Sequence, residues 1–121
     1  MERIAAFTVL FVFIATVSLA LAHPPSDIKI NYDPATKTLQ AVIIHPVGNP
    51  QSHFIKKVDV SLNGKEALTQ FISRQDNNNS QLVSYVIPDT EDGDKLSVEA
   101  YCSISGKLGE EVKAGAGRKK E

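Results

Sequence analysis

The chain has one cysteine, one methionine and no tryptophan among its 121 residues, and its charges almost cancel, with a formal net charge of −1. A single cysteine, Cys102, excludes any disulfide within the chain. Near-neutrality excludes nucleic-acid binding driven by overall charge, and the basic run Arg118-Lys119-Lys120 is too short and too terminal to restore it. There is no nucleophile elbow for hydrolase chemistry. The cysteine and the three histidines show neither the CxxC nor the HxxxH spacing of zinc fingers and zincins, so any metal site has to be assembled by the fold. The acidic residues between Asp89 and Asp94 lack the spacing of a calcium hand.

One long hydrophobic run is present. Ile4 to Leu21 carries no charge, follows Arg3 and closes on Ala20-Leu21-Ala22, a small-x-small pattern suited to signal peptidase. Residues 1–22 therefore read as a signal peptide that is removed, so that the protein is exported, periplasmic or secreted, without stable membrane association afterwards. The alternative, a retained anchor, stays open because the run is close to the shortest length that spans a bilayer. A mature chain starting at His23 can fold alone as one domain.

After Ala22 the pattern is of short β-prone segments separated by turn residues, with no long helical period. Strands are expected at Asp27–Tyr32, Thr38–His45, Phe54–Leu62, Lys65–Ile72, Gln81–Ile87, Lys95–Cys102 and Lys107–Lys113. Asn63-Gly64 is the strongest hairpin signal, and Asp76–Ser80 reads as an exposed loop tip. Alternation places Val58, Val60 and Leu62 on one face of their strand, and Leu96, Val98, Ala100 and Cys102 on one face of theirs. The expectation is an all-β, immunoglobulin-like sandwich of about seven strands over residues 23–113. Residues 114–121, with two glycines and a charge cluster but no apolar period, read as a disordered tail.

The soft-metal donors are His23 at the start of the mature chain, His45 and His53 around one loop, and Cys102 at a strand end. For Cys102 an inert buried thiol is the competing reading. A freed N-terminal amine on His23, next to its own imidazole, could chelate copper.

The segment His45-Pro46-Val47-Gly48-Asn49-Pro50-Gln51-Ser52-His53-Phe54-Ile55, followed by Ala100-Tyr101-Cys102-Ser103-Ile104-Ser105-Gly106, resembles the superoxide reductase domain of the desulfoferrodoxin and neelaredoxin family. The resemblance implies a mononuclear non-haem iron site with Cys102 as axial thiolate, His45 and His53 as loop ligands and His23 as the N-terminal one. It implies one-electron reduction of superoxide to peroxide, with superoxide and a small electron donor as partners. Ser105 stands where the family has its last histidine, His45 and His53 are two residues further apart than in the family's loop, and its Glu-Lys pair has no counterpart beside His23. Zinc or copper suits such a His and Cys donor set as well as iron. A non-catalytic immunoglobulin-like metal-binding, carrier or interaction module is the alternative function.

Overall fold

The computed structural model describes residues 23–115, so the signal-peptide reading of residues 1–22 lies outside the described residues. Seven strands form: β1 Asp27–Asp33, β2 Thr38–Ile44, β3 Ile55–Leu62, β4 Lys65–Phe71, β5 Ser80–Val86, β6 Lys95–Cys102 and β7 Lys107–Lys113. Each lies within one residue of its expected position. The turn residues act as their chemistry suggests: Asn63 and Gly64 both take positive φ, 52° and 85°, in the two-residue β3–β4 hairpin.

The strands make two antiparallel sheets, one of order β1-β2-β5 and one of order β4-β3-β6-β7. The architecture is a seven-stranded β-sandwich. A constant-type immunoglobulin domain sets its fourth strand in the sheet of the first, second and fifth. Here β4 instead extends the sheet of β3, β6 and β7.

One core fills the space between the sheets. Leu39, Ala41 and Ile43 enter it from β2, Val58 and Val60 from β3, and Leu96, Val98 and Ala100 from β6, all nearly or fully inaccessible. The expected inward rows of β3 and β6 hold, with Leu62 only partly buried at the end of its strand. Strict alternation does not account for Ile55, which is buried although it lies an odd number of positions, three, before Val58. A register shift between Ile55 and Lys57 against β6 supplies the reason. The extra residue resets the side-chain parity, so Ile55 also points inward.

The chain end corrects one expectation. Ala114, read from sequence as the first residue of a disordered tail, is fully buried. Its N–H donates to Asp94 O at 2.7 Å and its carbonyl accepts from Gly93 N at 2.8 Å. The folded domain therefore continues past Lys113, because a small apolar residue there closes the core and joins the β5–β6 loop. Residues 116–121 lie outside the described residues.

Strand direction divides the loops between two ends. The residues before β1 and the β2–β3, β4–β5 and β6–β7 connections share one end. That end receives His23, His45, His53 and the residues following Cys102.

Candidate metal centre

His45 is the first residue after β2, and its N–H donates to Asn79 O at 2.8 Å across to the β4–β5 connection. The β2–β3 loop then turns on Asn49, whose carbonyl accepts from Ser52 N at 3.1 Å and His53 N at 2.9 Å. This turn returns His53 toward His45 just before β3 begins. His23 arrives from the N-terminal side, where Ser26 N donates to Ile44 O at 2.8 Å and fixes the entry to β1.

The three imidazoles form a nearly equilateral group, with ring centroids 4.9 Å apart for His23–His45, 5.0 Å for His23–His53 and 4.9 Å for His45–His53. One ring nitrogen from each lies within 4.8 Å of the others. Rings that ligate one zinc at about 2.0–2.1 Å along their lone pairs have centroids roughly 5 Å apart, so the spacing fits a single first-row ion. No carboxylate belongs to this group among the described residues.

The three rings meet different polar surroundings. His45 is fully buried, with Nδ1 2.8 Å from Gln75 Oε1 and Nε2 3.3 Å from His23 O. His23 Nδ1 lies 3.0 Å from Pro24 O, an oxygen that can only accept, so that nitrogen donates. His53 Nε2 is closed off from solvent and has no hydrogen-bond partner. Burial, and then the neighbouring His45 and His23, hold the His53 imidazole below its ordinary pKa. A buried ring nitrogen without a partner is costly if it meets no ion and is satisfied by a metal.

Cys102 does not join this group of ligand atoms. It ends the inward row of β6, pairs in register with Ile55 and is 2% exposed. Its sulfur accepts from Ile104 N at 3.4 Å. The turn that follows reaches the histidine end nonetheless: a Cβ on Gly106 would stand 2.9 Å from Pro24 Cβ, directly after His23. Ser105 is exposed within that turn. Of the four candidate ligands, the fold thus gathers His23, His45 and His53 and leaves Cys102 behind them.

Two contributors had no signal in the sequence. Gln75, in the β4–β5 connection, is buried against His45, from which 30 residues separate it. The Pro24–Gly106 contact likewise joins segments with no local relation. A hollow of about 350 Å³ on the outer face of the four-stranded sheet, lined by Asp59, Glu66, Glu99 and Glu111 among others, is a separate feature. The four carboxylates named are engaged with Lys57, Lys95, Lys107 and Thr69.

No protein-family model, curated protein or solved structure matches this chain. What fold and site define together is a β-sandwich carrying a three-histidine cluster at one end.

Proposed function

We propose that this is an exported metalloprotein in which His23, His45 and His53 hold one divalent first-row transition-metal ion. The observation that carries this reading is the near-equal spacing of three imidazoles, one of them with a buried, unpartnered Nε2. All three can supply neutral nitrogen, the donor that suits zinc, copper and iron alike. The resemblance to superoxide reductase domains favours iron, and with it a redox role. When bound, iron would supply a one-electron couple, so that superoxide, with one electron from an external donor and two protons, leaves as hydrogen peroxide. On this chain the histidines orient that centre, and the full burial of His45 keeps its ring out of water.

A second reading, a metal-binding carrier without turnover, is favoured by one observation: the Cys102 sulfur stands outside the histidine group. The test is metal content of the His23–Glu121 protein purified anaerobically, followed by a superoxide-consumption assay on the iron-loaded form. Stoichiometric iron with peroxide formation supports the redox reading. Stoichiometric metal without consumption supports the carrier, and absence of metal under every loading condition removes both.

A further inference from the structure

Gln75 is 4% exposed, and both its backbone N–H and its side-chain amide are hydrogen-bonded. Its backbone N–H donates to Pro50 O at 3.0 Å. Its side-chain nitrogen donates to His45 O at 2.8 Å and to Asn77 O at 2.9 Å. Its side-chain oxygen lies 2.8 Å from His45 Nδ1. One residue of the β4–β5 connection therefore grips the β2–β3 loop at two points, at its start on His45 and at Pro50 in its middle.

The orientation of the amide follows from its partners. Both neighbours of Nε2 are carbonyl oxygens, which only accept, so the NH₂ group must face them and the oxygen must face His45. An amide oxygen cannot donate, so it calls for a proton on His45 Nδ1. The neighbour of Nε2 is the His23 carbonyl oxygen, also an acceptor, so the two nitrogens compete for one proton; the contact at Nδ1, 2.8 Å against 3.3 Å, is the shorter and holds it. In the neutral ring this leaves the lone pair on Nε2. The lone pair is thus unpaired and turned toward the segment that bears His23.

We propose that Gln75 is the positioning residue of the histidine centre: it sets the His45 tautomer so that Nε2 is the ligand atom, and it holds the loop that delivers His53. The proposal rests on the metal-centre reading above. Gln75 touches no metal and acts through His45, as outer partners of metal-bound histidines do when they take the proton of the second ring nitrogen.

The test combines ¹⁵N NMR of the His45 ring in the metal-free wild type with zinc titrations of the wild type, Gln75→Leu and Asn63→Ala. Asn63 lies in the β3–β4 turn at the opposite end and serves as a control for lost stability alone. The expected result is an Nδ1–H tautomer for His45 in the wild type and a mixed tautomer in Gln75→Leu. Zinc affinity should fall about 10–100-fold in Gln75→Leu and stay within twofold in Asn63→Ala. An Nε2–H tautomer in the wild type overturns the proposal whether or not Gln75→Leu folds, and so does a Gln75→Leu protein that keeps wild-type zinc affinity. A wild type with the Nδ1–H tautomer that binds no zinc overturns the metal-centre reading itself and reduces Gln75 to a structural residue.

Discussion

The two ends of the sandwich handle polar groups in opposite ways. At the end formed by the β1–β2, β3–β4 and β5–β6 connections, polar side chains close turns at the surface. Asn63 Nδ2 donates to Asp94 Oδ1 at 2.9 Å, Lys95 N donates to Asn63 Oδ1 at 2.9 Å, and Glu91 N donates to Asp94 Oδ2 at 2.8 Å. The Glu91–Asp94 bond closes its own turn, while the two Asn63 bonds tie the β3–β4 turn to the end of the β5–β6 connection. At the histidine end, His45 and Gln75 are buried and His53 Nε2 is left without a partner. The opposite end also buries one unpartnered group, Thr90 Oγ1, so what sets the histidine end apart is that its unpartnered nitrogen belongs to a cluster of three imidazoles.

Breaking the buried end should cost most. His45→Ala removes a fully buried ring and orphans Gln75 Oε1, so it should lower stability by about 3 kcal/mol and abolish zinc binding. Urea denaturation and calorimetric titration check the two effects separately.

A pair of glycines sharpens the contrast. Gly64 and Gly106 both have positive φ, 85° and 89°, but a Cβ on Gly64 meets nothing within 4 Å while one on Gly106 meets Pro24 at 2.9 Å. Gly64→Ala should cost about 1 kcal/mol for the left-handed backbone alone. Gly106→Ala should cost about 2 kcal/mol and also weaken zinc binding, since Pro24 carries His23 with it. Equal losses in the two variants, with zinc affinity unchanged, would show that the Pro24 contact is slack.

Asn63→Ala opens only the surface turn. It should lower stability by roughly 1 kcal/mol and leave zinc affinity alone, as measured by the same titration.

The smallest effect is in pH. The folded state holds His53 below its ordinary value, so below about pH 6.5 the unfolded chain binds more protons than the folded one. The metal-free protein should keep this part of its stability above that pH and lose it as pH falls through that range. Asp94 is held below the usual carboxylate range, chiefly by the Asn63 amide and then by the Glu91 N–H. Its contribution is present above about pH 4 and is lost only in stronger acid. Urea midpoints followed against pH should show two separate declines, and Asn63→Ala should weaken the acid one alone.

The strands were legible because their signals are local. Alternation in β6 and the Asn63-Gly64 turn identify elements from neighbouring residues, and every strand boundary lies within one residue of its expected place. Ile55 escaped because a bulge changes parity without leaving a mark in composition. Ala114 escaped because a single alanine beside glycine has no periodicity to reveal its burial. For the site, histidines and cysteine could be nominated by donor chemistry alone, but not sorted. That only three of the four converge depends on how far β6 runs relative to the β2–β3 loop, a matter of register between strands.

The sequence by itself determined seven strands, their inward faces and the small set of residues able to hold a metal, since hydrophobic period, turn chemistry and donor type are properties of short segments. Which strands share a sheet, which end collects the histidines, and the placement of Gln75 against His45 were decided only by tertiary structure. Those are contacts between residues tens of positions apart, and no local preference encodes them: they exist because closing two sheets over one core brings four connecting segments to the same end.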